Sequence, residues 1–414
     1  MSEFIHDDFL LKTASARRLY HELAAGLPII DYHNHLGPRE LADDRQFANL
    51  SQLWIASDPY KHRAMRIAGV PERFITGDAT DCEKFDAWAA TVPQTLGNPL
   101  FHWTALELKR YFDITEFLLP ESASRVWATC NERLGDSHYT ARGLIARANV
   151  ECLCTSDRLP DDLLAHARLA KSGFPTRVLP SLRVDEEATF DRSLITERLD
   201  FFQQMGCRLA DHAVIGFDSE LLRAHAREYA RRGWILQLHI GAQRQTSTRL
   251  RKLAGPAGGY ATIGPSCDIP GLCRFLDDLE KEGCLPRTIL YPLNPADYAA
   301  LATLTGSFAE DGVRGKIQLG PAWWYNDHAL GIRQHLDALA SYGVLSTFIG
   351  MTTDSRSLLS MVRHEYFRRV VCDWLGDQVQ AGVLPPNDQF LGPLVRGLCH
   401  DNACSCLFPE EVQP

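Results

Sequence analysis

Eight short β-branched or apolar runs, each bounded by polar or glycine signals and mostly followed by a helix-forming stretch, predict an α/β chain folded as a distorted (β/α)8 TIM barrel. The length agrees. A chain of 414 residues with no solenoid repeat, low-complexity tract or Pro/Ser-rich linker fits a single barrel domain over residues 1–414 better than two or three ordinary domains. No second strand pattern appears between His33 and Glu151, so a long, mainly helical insertion, about residues 40–147, is expected after strand 1. A doubly wound open sheet is the competing arrangement, but no GxGxxG follows the first strand.

In chain order the expected strands are Pro28–His33, Glu151–Thr155, Arg177–Leu182, Ala213–Phe217, Trp234–His239, Arg287–Leu293, Gly315–Leu319 and Leu345–Thr352. Helical spacing of apolar residues marks Ser193–Met205, Glu220–Arg232, Pro270–Glu282, Asp327–Tyr342 and Leu358–Trp374 between and after them. Within the insertion, Asp81–Ala90 and Phe101–Tyr111 read as amphipathic helices, and Trp54, Trp88, Trp103 and Trp127 supply apolar anchors for a satellite core. An insertion that leaves a barrel strand at its C-terminal end can also carry polar residues to the active-site face.

With 45% hydrophobic, 23% charged and 9% aromatic residues, the chain is neither disordered, collagenous nor coiled-coil. Its 43 basic and 52 acidic side chains leave a net charge of −9, a field that repels phosphate backbones and anionic membranes. No nucleic-acid or membrane partner is expected, and any bound anion needs local arginines. No apolar run approaches the ~20 residues of a membrane span. Met1-Ser2-Glu3-Phe4 lacks the basic start and apolar core of a secretion signal. The 12 cysteines are scattered, as reduced thiols would be, and a cytoplasmic protein is expected.

The sharpest chemical signal is Pro28-Ile29-Ile30-Asp31-Tyr32-His33-Asn34-His35, an apolar strand ending in His-x-His. Period-two geometry puts His33 and His35 on one face, where two neutral imidazoles can hold one ion; two solvated loop histidines are the alternative. The last strand ends in Thr353-Asp354-Ser355-Arg356. Strands one and eight are neighbours in a closed barrel, so Asp354 can complete a divalent-metal site with open positions, unless it caps the following helix. Strand five runs into His239 and Arg244, strand three into Arg183, and Arg356 shares the same mouth. Several guanidiniums converging there imply a carboxylate or phosphate ligand, although each alone also suits a structural salt bridge. Trp323 and Trp324 after strand seven can pack on a sugar face or plug the barrel top, and Tyr60 in the insertion can offer a phenol or remain a surface tyrosine.

Other signals carry less. Cys399-His400 with Cys404 and Cys406 has irregular spacing for zinc and reads as free thiols, and Cys152-x-Cys154 reads as core. His364-Glu365 does not continue to HExxH, and Gly255-Pro256-Ala257-Gly258-Gly259 lacks the Lys-Ser/Thr of a phosphate cradle and reads as a turn.

Taken together, Leu27–Leu36, Gly97–Leu100, Leu238–Ala242, Trp323–Asp327, Thr353–Ser357 and Arg363–Arg369 make the chain resemble the uronate (glucuronate) isomerases of the amidohydrolase superfamily, nearly end to end. The resemblance implies interconversion of D-glucuronate with D-fructuronate, and of D-galacturonate with D-tagaturonate. It implies His33, His35 and Asp354 as metal ligands, with Tyr60, Arg183, His239, Arg244, Trp324 and Arg356 around a hexuronate; Asp211 falls in a similar segment. Asp354, Tyr60 and His239 are the candidates for the chemistry, with Asp354 as base. One divalent ion, zinc ahead of manganese or iron, and no nucleotide cofactor are expected, in a homo-oligomer. Two departures stand out: Asp58-Pro59-Tyr60-Lys61-His62 where such proteins usually read Asp-His-Tyr-Lys-Trp, and Thr155-Ser156-Asp157-Arg158 in place of Thr-Asp-Asp-Pro. The competing enzyme class is a mononuclear hydrolase of the same superfamily, since strands four and six lack the lysine and histidine of a binuclear one. A uronate-binding protein without turnover is the third reading, favoured by nothing in the sequence.

Overall fold

The computed structural model describes residues 3–184 and 192–409. Asp185, at the end of the third expected strand, lies outside them. Eleven strands form among the described residues: β1 (Ile29–Asp31), β2 (Val150–Cys154), β3 (Asp157–Arg158), β4 (Arg177–Leu179), β5 (Leu182–Arg183), β6 (Leu209–Val214), β7 (Ile235–Ile240), β8 (Ala242–Gln243), β9 (Thr262–Ile263), β10 (Thr288–Pro292) and β11 (Ile317–Leu319). Two sheets, β1-β2-β4 and β11-β10-β7-β6-β5-β3, are parallel throughout, and β8 and β9 make an antiparallel hairpin. Every residue of β7 and β10 is buried, as a parallel strand covered on both faces requires.

The two parallel sheets are one strand sequence broken in two places. Pro180 has no N–H to give the ladder, which separates β4 from β5. Thr155 N donates to Leu179 O (3.0 Å) and Asp157 N to Ser181 O (2.9 Å), so β2 and β3 cross the same break in step.

Two strand expectations need correction. The fourth strand is Leu209–Val214, not Ala213–Phe217, and Ile215 is exposed. Its apolar pattern is interrupted because Asp211 turns inward to a cavity while His212 turns outward to hydrogen-bond the Tyr229 hydroxyl (2.9 Å) of the helix Glu220–Arg232. The eighth strand does not form: Leu345–Thr347 is a 3-10 turn, and no ladder joins the following residues to β11 or β1 among the described residues. Gly350, at φ +93°, breaks the extended run where its backbone closes on Leu398 O. Side chains take over the ladder's work, with Ile349 N donating to Gln318 Oε1 (2.8 Å) and Tyr32 Oη to Gly350 O (2.8 Å). What the described residues show is therefore an α/β fold of parallel sheets in which the eighth expected run does not pair and no closed ring of ladders forms.

The chain between β1 and β2 is largely helical, including Pro59–Ile67, Asp81–Thr91, Pro99–Phe112 and Ala123–Leu134. Thr80 and Glu83 form a reciprocal capping box on the second of these. Trp54, Trp88 and Trp103 are fully buried, and Trp127 packs on Phe85. Asp58 caps Pro59–Ile67 through Tyr60 N (2.9 Å) and Lys61 N (3.3 Å), and Pro59 at the first helical position needs no donor. The departure at residues 58–62 is thus a well-formed helix start that fixes Tyr60.

Asp31 ties β1 to the irregular segment that follows Gly350. Fully buried, its carboxylate accepts from Thr353 N (2.7 Å), Thr353 Oγ1 (2.7 Å), Thr352 Oγ1 (2.8 Å) and Asn34 Nδ2 (3.1 Å), with His364 Nε2 at 3.3 Å. Burial opposes its charge, but His364 and Thr353 outweigh burial and keep its pKa below the ordinary carboxylate value. Asp31→Asn keeps the volume and removes the charge that these donors converge on. It should lower unfolding free energy by about 3 kcal/mol, read as a lower denaturant midpoint at fixed metal; an unchanged midpoint would contradict this role.

Candidate functional site

A cavity of about 590 Å³ opens where β1, β5, β6 and β7 end and the 350–356 segment passes. Every site residue expected from the sequence lines it. On one wall are His33, His35 and Asp354, with both imidazole Nε2 atoms facing the same carboxylate oxygen: His33 at 3.4 Å and His35 at 3.0 Å from Asp354 Oδ1. The other oxygen, Oδ2, accepts from Trp323 Nε1 (2.6 Å). The backbones interlock, Asp354 N donating to His33 O (3.1 Å) and His35 N to Ser355 O (2.8 Å). Asp354 sits at φ +48° and Trp324 at φ +51°, left-handed positions that cost a non-glycine residue energy and cluster at functional sites.

Burial disfavours the Asp354 charge, yet hydrogen bonds from His33 and His35 hold its pKa well below the usual carboxylate range. Burial lowers the pKa of His35, and lowers that of His239 much further with help from His33. For His33, Asp354 and Asp211 overcome burial and raise it. The His33 and His239 rings are 4.7 Å apart, and Asp211 Oδ2 lies 3.8 Å from His239 Nδ1. His33, His35 and Asp354 form one group able to hold a cation, and His33, Asp211 and His239 a second. Three buried atoms here, His33 Nδ1, Asp211 Oδ1 and His239 Nε2, have no hydrogen-bond partner. Two imidazoles and a carboxylate with unspent donor atoms nearby suit a divalent ion of borderline softness.

The guanidiniums of Arg183, Arg244 and Arg356 line the same cavity. Arg183 approaches Asp211 Oδ2 (3.9 Å), Arg244 lies 5.4 Å from the Trp324 ring, and Arg356 follows Asp354. Burial lowers the pKa of Arg244 and of Arg356, and Arg183 adds like-charge repulsion to both. An anion between them relieves that crowding. Tyr60 closes the site from the insertion, donating its hydroxyl hydrogen to Asp327 Oδ2 (3.1 Å).

Ser156 and Arg158, read in the sequence only as a departure, and Gly259, read only as part of a turn, line the cavity, and Gln245, Arg251, Tyr260 and Ala261 join them without any sequence signal. The glycine-rich stretch is indeed a turn, but one in contact with the insertion. Gly259, at φ +80°, brings its backbone so close to Pro59 O that a Cβ would sit 2.3 Å away. Arg66 bonds Gly258 O, and Arg63 Nη1 (3.0 Å) and Tyr325 Oη (2.7 Å) donate to Ala261 O. A Gly-Gly pair after a helix was the available signal of close backbone approach. Elsewhere, His400 engages Glu151 (3.1 Å) and Asp401 (2.8 Å), no disulfide joins any of the 12 cysteines, and no described helix is long and apolar enough to cross a membrane.

Parallel strands whose ends bring a histidine–aspartate group able to hold a cation into one cavity with clustered arginines suit an enzyme that handles a small anion. The glucuronate isomerase family model matches residues 1–195 and 214–407. Among solved structures, uronate isomerase from Thermotoga maritima superposes with a TM-score of 0.91 at 27% identity, over 98% of this chain and 100% of that one. The glucuronate isomerase from Caulobacter crescentus (TM-score 0.88, 22% identity, 99% and 98% covered) and a uronate isomerase from Bacillus halodurans (0.67, 15%, 92% and 93%) share the fold. The chain belongs to the glucuronate isomerase family. It is an aldose–ketose isomerase, an intramolecular oxidoreductase acting on a sugar acid, and the hydrolase alternative is not favoured.

His33→Ala removes a donor that both cation groups share. Its affinity for divalent metal should fall by more than the ~10–100-fold that losing an outer-shell partner brings, measured by metal analysis after equilibrium dialysis; unchanged content would remove His33 from the site.

Proposed function

We propose that this chain interconverts D-glucuronate with D-fructuronate and D-galacturonate with D-tagaturonate, on a distorted (β/α)8 barrel of one domain whose helical insertion, about residues 40–147, caps the site. The observation that carries the reading is that one cavity brings a His33–His35–Asp354 group together with Arg183, Arg244 and Arg356. A uronate offers matching chemistry at its two ends: vicinal oxygens at C1 and C2, and a carboxylate at C6.

Isomerisation moves a hydrogen from C2 to C1 and a proton from O2 to O1, so the sugar is oxidised at one carbon and reduced at its neighbour with no outside electron carrier. In this reading His33, His35 and Asp354 hold a divalent ion, zinc ahead of manganese or iron, which when bound polarises the sugar's oxygens. Arg183, Arg244 and Arg356 bind the C6 carboxylate, and Trp324 and Asp211 orient the ring. Asp354 is the base that removes the C2 proton and returns it at C1. Tyr60 and His239 serve the hydroxyl protons from the sides. A homo-oligomer in the cytoplasm suits this role.

Proton NMR of metal-loaded protein with each aldose in deuterated water should show loss of the anomeric signal and growth of ketose. No conversion with metal confirmed would defeat the proposal. Asp354→Asn, reloaded with metal, should show no exchange at C2; retained exchange would reassign the base. Arg244→Met should raise KM by at least about tenfold, the ~1.5–3 kcal/mol of a hydrogen bond to a charged group, while a change confined to kcat would place Arg244 elsewhere.

A further inference from the structure

Outside the cavity lining, one buried ion pair touches the site through a single side chain. Asp327 is 6% exposed and Arg363 1%, and neither lines the cavity. Asp327 Oδ2 accepts the Tyr60 hydroxyl (3.1 Å) and lies 3.5 Å from Arg363 Nη1. The Arg363 guanidinium stacks 4.5 Å from the Tyr60 ring centroid and 4.1 Å from that of Trp103, and its Nε has no partner. Asp327 is rigidly placed. It follows the 3-10 turn Trp324–Asn326, Asn326 Nδ2 is tied to Leu293 O (2.9 Å), and Gly331 packs on the Asn326 carbonyl closely enough to exclude a Cβ.

This geometry commits the only hydroxyl hydrogen of Tyr60 to Asp327. Toward the cavity the phenol oxygen can then only accept, and what a sugar presents to an acceptor is a hydroxyl hydrogen. We propose that Asp327 is the terminus of a two-step proton relay: a sugar hydroxyl passes its proton to the Tyr60 oxygen as the Tyr60 proton crosses to Asp327. The inference rests on the proposed contact of Tyr60 with the uronate. Two O–H bonds break and two form. The sugar oxygen is left anionic and the Asp327 carboxyl neutral, and the same path run backwards delivers the proton to the neighbouring sugar oxygen. That is the O2-to-O1 transfer that isomerisation needs, and it leaves carbon-bound hydrogen to another group. Burial supports the role from both sides, holding the Tyr60 phenol protonated and lifting Asp327, against the pull of Arg363, to about 7. Arg363 makes the pair a positioning device as well, since its charge faces both the ring and the carboxylate.

The test is a double-mutant cycle on the metal-loaded enzyme with D-glucuronate, using Tyr60→Phe, Asp327→Asn and both together. Asn at 327 still accepts the phenol's hydrogen bond but takes no proton. The relay predicts a kcat about 100-fold lower for Asp327→Asn, with KM within about threefold and metal content unchanged, and a double variant no slower than Tyr60→Phe alone. Parental kcat in Asp327→Asn beside a slow Tyr60→Phe, or penalties that multiply in the double variant, would overturn the relay while leaving Tyr60 in place. Parental kcat in Tyr60→Phe would overturn the reading of Tyr60 itself, and the relay with it. If Asp327→Asn yields no folded protein by near-UV circular dichroism, Asp327→Ser takes its place in the same cycle with the same expected outcomes.

Discussion

A charged carboxylate with no access to water holds the two ends of this fold together. Asp31 is the last residue of β1, and its partners Thr352, Thr353 and His364 come from some 320 residues further along the chain. Ionising a group at that depth is unfavourable unless donors surround it, so the Asp31 charge is stable only when the segment after Gly350 lies against β1. The two histidines follow within four residues of Asp31 and Asp354 one residue after Thr353. The His33–His35–Asp354 geometry is therefore a by-product of satisfying one buried anion, and the site forms when the fold closes and not before.

The same segment shows why regular structure was given up at this point. A continued strand would alternate Thr353, Asp354 and Ser355 between faces and spend their backbone groups on a neighbouring ladder. Instead Thr353 spends both its amide and its hydroxyl on Asp31, and Asp354, in a left-handed conformation, swings its carboxylate to where both imidazoles point. Strain at Asp354 is offset by the Asp31 network beside it, which leaves a second anion in a pocket where Trp323 also donates to it. Two carboxylates thus lie on adjoining segments, Asp31 fully buried and saturated with donors and Asp354 half-buried and facing the cavity.

These facts also set what could be seen in the sequence. The His-x-His strand, its aspartate at the far end of the chain and the arginines after the third, fifth and eighth runs were all legible, because each follows an apolar run where the pattern gives way to polar residues. Helices both between the later strands and between β1 and β2 were legible for the same reason of period, Glu220–Arg232 to the residue. What misled was apolarity used as a proxy for ladder pairing. Ala213–Phe217 is the more apolar run, yet Leu209–Val214 is the strand, since Asp211 and His212 each have a partner or a cavity. Phe348–Thr352, the inner part of the eighth run, is buried without being paired. The Asp327–Arg363 pair and the clamp of Gly259 on Pro59 depend on contacts between segments that no local pattern encodes, and both join the helical chain between β1 and β2 to the rest of the fold.

That junction explains how a chain of net charge −9 sustains a cationic pocket. Tyr60 is fixed from three directions: its helix start by Asp58 and Pro59, its hydroxyl by Asp327, and its ring by Arg363 stacked against Trp103. Gly259 presses the β8–β9 hairpin against the same helix start, so the wall carrying Arg244 and the helix carrying Tyr60 are referenced to one another. Three arginines that repel each other in low dielectric would spread apart on flexible loops. Held by a strand end and the segment beside Asp354 on one side and a clamped hairpin on the other, they are preorganised, and in the proposed reading they demand a single carboxylate whose binding brings the sugar's far end to the histidine–aspartate group.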